Sequence, residues 1–183
     1  MTTEYLLSQE VEHVLAALMP QNRLIVRVIL HTGMRISDVL ALKTEDLKPS
    51  GWYTEGKTGK RRRYGLPAPL LASIRAQAGP IWAFPGRLDK TKHKTRQAVW
   101  ADLKRAQRAF RLPQVVGTHS MRKIYAVDLM AKYGDIERVQ RALNHDAPSV
   151  TMIYAMADQL LERRLAARER RIRARRQKTK PRI

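Results

Sequence analysis

The sequence contains no cysteine. That excludes disulfides, thiolate metal sites and a cysteine nucleophile, and it fits a reducing compartment. No apolar run approaches the roughly 18 residues needed to span a membrane. The opening residues, MTTEYLLSQEVEHV, lack the charged start and apolar stretch of a signal peptide. The expectation is a soluble, cytoplasmic protein with no membrane partner. No internal repeat is visible. The most informative shortage is of acid. There are 16 Asp plus Glu against 36 Lys plus Arg, a net charge of +20 and a pI near 11.1. Such an imbalance implies a polyanionic partner, because cations that neutralise phosphates release counterions. Nucleic acid leads, although ribosomal and membrane-surface proteins are also basic.

What is present suits one domain, or a domain with a short appendage: 183 residues, 44% of them hydrophobic. Ser8 is placed to cap a first helix, with acids in its first turn. Residues 22–31 are apolar on most faces and predict a buried helix. Gly33 interrupts it, and RISDVLAL resumes with Ile36, Val39 and Leu40 on one face. Pro49, Ser50 and Gly51 mark a loop. WYTEGKTGKRRRYGLP reads as a hairpin, with Gly59 supplying the turn. Helices are expected over 68–77, over TRQAVWADLKRAQRAF with Val99, Leu103 and Ala106 inward, from Thr118 to Gly134, and over DIERVQRALN. A short segment carrying Tyr154 follows Pro148, and an Arg-rich helix runs from Glu162. The sum is a mainly α fold with one small antiparallel sheet, an α+β arrangement.

Three segments carry the chemistry: HTGMRISDVLAL around Arg35, GTHSMRKIYAVDLM with His119 and Arg122, and ALNHDAPSVTMIYAMAD with His145 nine residues before Tyr154. In order and spacing they resemble the catalytic domain of tyrosine recombinases (phage integrases), over roughly residues 8–165. The resemblance implies DNA breaking and rejoining through a covalent bond to Tyr154. It implies the same for site roles. Arg35 and Arg122 would hold the non-bridging phosphate oxygens, for which a guanidinium is suited because it binds bidentately and stays charged. His119 would receive the Tyr154 proton, and His145 would donate a hydrogen bond to the phosphate. Asp38 matches the family's acidic position and would orient Arg35 or His119. Taken alone, His119 reads as a satisfied core histidine and His145 as a helix-end residue; the i, i+3 partner Arg122 and the family match reverse that. Spacing from His145 selects Tyr154 over Tyr125, whose place inside a helix suggests packing.

Lys57 on the hairpin matches the family's mobile lysine, able to protonate the leaving 5′ oxygen; Lys60 competes for the role. The resemblance implies neither metal nor cofactor, since a phosphotyrosine conserves bond energy for religation. Residues Gly51 to Thr58 also satisfy the P-loop pattern, but without a following helix to complete it. Lys60, Arg61, Arg62 and Arg63 on the hairpin, then Lys92, Lys94, Arg96 and Lys104 before and along the amphipathic helix, are expected to contact double-stranded DNA.

The resemblance assigns residues 1–165 to the catalytic domain and 166–183 to a basic tail, with the family's N-terminal core-binding domain absent. The chain would be either a minimal recombinase or a fragment. Two alternatives remain at this point: a type IB topoisomerase-like enzyme, and a non-catalytic DNA-binding regulator of the same fold. A recombinase would assemble as a tetramer on paired sites. Leu160, Leu161 and Leu165 would dock on a neighbouring subunit.

Overall fold

In the computed structural model, residue 6, residues 8–143, and residues 163, 166, 167 and 169–172 are described. His145, Tyr154, Leu160, Leu161 and Leu165 lie outside them. The elements run α1 (Ser8–Ala17), α2 (Pro20–Thr32), α3 (Ile36–Leu40), β1 (Ser50–Thr54), β2 (Arg61–Gly65), α4 (Ala68–Gln77), α5 (Arg96–Ala109), α6 (Thr118–Tyr133) and α7 (Ile136–Leu143). No described helix is long and apolar enough to cross a membrane.

Helix α2 is the hub, packed by α1, α3, α4 and α6. Pro20 starts it, where a missing N–H costs nothing. Ile25, Val26, Val28 and Ile29 are fully buried. Gly33 ends it in the left-handed region at φ 64°, and its N–H closes onto Ile29 O at 2.8 Å. The ring of Tyr125 lies against Gly33 so closely that a Cβ there would clash with it. Tyr125 is therefore a packing residue, as its place inside α6 suggested.

Asp102 pins α5 to the start of α2. Its Oδ2 accepts from Asn22 Nδ2 at 2.7 Å and from Met19 N at 2.9 Å, while Arg105 pairs with Oδ1 at 2.6 Å. Val99, Leu103 and Ala106 line the inner face of α5 as periodicity predicted. Thr95 caps that helix by accepting from Ala98 N at 3.2 Å.

The two strands pair antiparallel, from Ser50↔Gly65 to Thr54↔Arg61. Ser50 and Gly51, expected in a loop, already belong to β1. The turn closes with Glu55 N on Lys60 O at 3.0 Å and Gly59 N on Glu55 O at 2.9 Å, with Gly59 at φ 67°. The strand before Lys57 thus leads to an antiparallel partner. A P-loop needs a helix there, so the nucleotide-loop pattern fails on topology.

Candidate active site

Four segments meet at one open cavity of about 580 Å³. The break between α2 and α3 supplies Arg35, the hairpin turn Lys57, the first turn of α5 Arg96, and the first turns of α6 His119 and Arg122. Met34 and Ile36 also line it. The helix expected to resume at Arg35 starts one residue later, at Ile36. Gly33 stops α2, so Arg35 falls in extended backbone (φ −71°, ψ 150°) as the residue capping α3. The N-terminal ends of α5 and α6 border the cavity, and their unpaired N–H groups add to its preference for an anion.

Arg122 is almost wholly buried. Nη1 donates to Gly33 O and Nη2 to Leu143 O, each at 2.6 Å. Burial above all, with Arg35 and Arg62 nearby, lowers its pKa to about 10, which leaves it charged at neutral pH. Arg35 keeps more solvent. Its Nη1 stands 2.7 Å from Glu55 Oε2, yet that shielded nitrogen completes no hydrogen bond among the described residues. The contact is a close ion pair whose geometry falls short of a hydrogen bond. His119 opens to the cavity, but loss of water around it pushes its pKa below the ordinary histidine value. Lys123, Arg122, Arg35 and Lys57 push the same way. A neutral ring is the form that can take a proton.

Asp38 was expected to orient Arg35 or His119. Instead Oδ1 accepts from Gly56 N at 3.1 Å, next to Lys57, and the buried Oδ2 completes no hydrogen bond among the described residues. It fastens the hairpin turn to α3.

The basic surface divides. Lys60, Arg61 and Arg63 are exposed, with Arg61 over the Trp52 ring at 5.2 Å. Arg62, expected beside them, points inward. It is 9% exposed, pairs with Glu55 Oε1 at 2.8 Å and lies over the Tyr53 ring. Burial raises the Tyr53 hydroxyl to a pKa of about 12. Lys94 is half-buried and donates to Gln21 Oε1 at 2.8 Å. Lys104 donates to Gln107 Oε1 at 2.9 Å. Lys92 is exposed beside Asp89, and Arg96 is exposed at the cavity rim.

Sequence reasoning missed Glu55. It is fully buried and gathers Arg35, Arg62 and, at 4.0 Å, Arg122. A signal existed: Glu55 is the sole acid between Asp46 and Asp89, inside a strongly basic hairpin. Among the described residues, no cluster of His, Cys, Asp and Glu could hold a metal ion.

Comparison with known proteins gives one family. The model of the Phage integrase family matches residues 4–160. A Bacillus subtilis (strain 168) protein whose name reads "Probable integrase/recombinase YoeC" is 30% identical over 142 residues, 71% of this chain and 74% of that protein. Tyrosine recombinase XerA of Pyrococcus furiosus is 32% identical over 143 residues, 73% of this chain and 49% of that protein. The chain thus spans about half the length of that recombinase. Among solved structures, the XerH site-specific recombinase bound to palindromic difH substrate, a post-cleavage complex, superposes with a TM-score of 0.69. That match has 25% identity and covers 92% of this chain and 54% of that one.

Proposed function

The chain belongs to the phage integrase family, and from that premise we propose that it is a site-specific DNA recombinase working through a 3′-phosphotyrosyl intermediate. The observation that carries this reading is the convergence of Arg35, Lys57, His119 and Arg122 on one cavity. Those side chains come from three separate segments, the α2–α3 break, the hairpin turn and α6, and each has a role in phosphoryl transfer. XerH, similar in fold, was captured after cleavage of its own DNA substrate; the reading extends that activity to this chain.

The Tyr154 oxygen attacks phosphorus while the bond to the 5′ oxygen breaks. His119 takes the proton from Tyr154. Lys57 gives one to the leaving 5′ oxygen. Arg35 and Arg122, with a hydrogen bond from His145, hold the charge that gathers on the non-bridging oxygens. Attack by a 5′-hydroxyl from a second duplex reverses the step and completes strand exchange. No nucleotide enters, because the phosphotyrosine conserves the bond energy. Lys60, Arg61, Arg63, Lys92 and Arg96 contact the DNA backbone on either side of the scissile phosphate. Exchange between two duplexes calls for two protomers on each, a tetramer in all.

The test is trapping on nicked suicide duplexes drawn from a sequence library. Wild type should become covalently attached to a 3′ end, and Tyr154→Phe should bind DNA and trap none. Trapping by Tyr154→Phe would remove Tyr154 from the mechanism. Rejoining between paired copies of the recovered site distinguishes a recombinase from an enzyme that only nicks and reseals one duplex.

A further inference from the structure

Glu55 has no part in the chemistry above, yet its carboxylate lies fully buried at the meeting point of three guanidinium groups. Oε2 is 2.7 Å from Arg35 Nη1 and accepts from Thr58 Oγ1 at 2.7 Å. Oε1 is 2.8 Å from Arg62 Nη1 and 4.0 Å from Arg122 Nη2. Arg35 and Arg122 line the cavity, whereas Glu55 and Arg62 do not. The carboxylate therefore stands behind the two arginines, on the side away from a bound phosphate.

That placement has an electrostatic consequence. Three guanidinium groups packed together repel one another, and burial strengthens the repulsion. One carboxylate among them relieves it without cancelling it. These four side chains keep a surplus of two positive charges, which suits the doubly negative phosphorus centre that forms during strand transfer. The carboxylate also fixes geometry. Arg35 sits in extended backbone outside any helix, so its long side chain has few rotamer restraints of its own. Glu55 supplies the restraint, and Arg62 in turn holds Glu55 from the far side.

We propose that Glu55 is a positioning residue for the strand-transfer reaction, holding Arg35 and Arg122 in the arrangement that receives the phosphate. The inference rests on the recombinase reading. It acts through the arginines and not through Lys57. Thr58 Oγ1 ties the turn carrying Lys57 to the carboxylate, but three further bonds hold that turn without using it: Gly56 N on Asp38 Oδ1, Glu55 N on Lys60 O and Gly59 N on the Glu55 carbonyl.

The experiment uses the full chain and the suicide duplex that wild type traps. A wild type that traps no DNA ends the recombinase reading; the inference about Glu55 is judged on variants of a trapping protein and on the spectrum below. Glu55→Gln keeps the shape and loses the charge. Glu55→Asp keeps the charge and draws it back by one methylene. Both should bind the duplex within about threefold of wild type, while single-turnover cleavage falls roughly 10- to 100-fold, the scale of a small misplacement of reacting groups. Replacing the 5′-bridging oxygen by sulfur should not restore either rate. A folded variant that cleaves at the wild-type rate would overturn the proposal. So would loss of binding, thermal stability and cleavage in equal measure, or recovery on the sulfur-bridged duplex. A measurement that needs no variant is NMR of the Arg35 guanidinium in free wild type. Restricted rotation of its terminal nitrogens is expected, and free rotation would contradict the anchoring role.

Discussion

Arg122 Nη2 donates to the main-chain oxygen of Leu143 at 2.6 Å. Leu143 closes α7 two residues before His145, so a cation lining the candidate site is hydrogen-bonded to the terminus of the helix that leads to His145 and Tyr154. A cation at a helix C-terminus is favoured by the carbonyls left unpaired there. The same guanidinium holds Gly33 O at the end of α2. Arg122 is therefore both a phosphate ligand under the proposed function and a fastening between two helix ends.

This double duty separates the two arginines. Arg35→Ala and Arg122→Ala should each slow cleavage by roughly 10²–10³ or more, the usual loss for one aimed donor. Arg122→Ala should in addition destabilise the fold by about 2–4 kcal/mol, since two carbonyl partners are left unsatisfied. Thermal melting beside suicide-duplex cleavage checks it. Equal melting losses for both variants would contradict the fastening.

Lys57 and Lys60 both lie on the exposed hairpin turn, and their chemistry tells them apart. A thiolate leaves without a proton, so a 5′-bridging sulfur removes the need for a general acid. Lys57→Ala should be slow on ordinary DNA and largely restored on the sulfur-bridged duplex. Arg122→Ala should not recover to the same degree. Rescue of Lys60→Ala in place of Lys57→Ala would move the general acid to Lys60.

Gly33 tolerates no side chain for two reasons. Its φ of 64° lies in the left-handed region, and a Cβ would meet the Tyr125 ring. The backbone effect is worth roughly 1–2 kcal/mol and overpacking roughly 1–3 kcal/mol. Gly33→Ala should lower stability by about 2–5 kcal/mol and disturb the carbonyl that Arg122 uses. Denaturant titration measures the loss. In the Gly33→Ala/Tyr125→Ala double variant, removing the ring should leave a backbone penalty but no further clash. A Gly33→Ala protein as stable as wild type would contradict both causes.

His119 gives a pH dependence of known sign. Its folded-state pKa is held below the ordinary value, chiefly by burial, so the unfolded chain takes up the proton first as pH falls. The stability tied to the neutral ring is fully present above about pH 6.5 and is lost as pH falls through the folded-state value. Wild type should therefore lose stability relative to His119→Gln on acidification from pH 7 toward 5. An NMR titration of the free protein should place His119 below the ordinary histidine range. A value above it would reverse the sign.

Much of this molecule is local and could be read along the chain. The bounds of α4, the inner face of α5, the stop at Gly33 and the Gly59 turn follow from periodicity and backbone chemistry, which depend on near neighbours. The H-x-x-R spacing set His119 and Arg122 one turn apart before any packing was considered.

What tertiary structure alone decided is where each charge points. The run Arg61-Arg62-Arg63 is uniform in sequence, so nothing within it marks an inner face. Register does: pairing with β1 sets Arg62 opposite Tyr53, and two residues on, the same alternation carries Glu55 inward. A one-residue slip would have exposed Arg62 and buried its neighbours. The carboxylate that organises the arginines, and the solvent-facing role left to Arg61 and Arg63, exist only because two strands pair in that register beside α2.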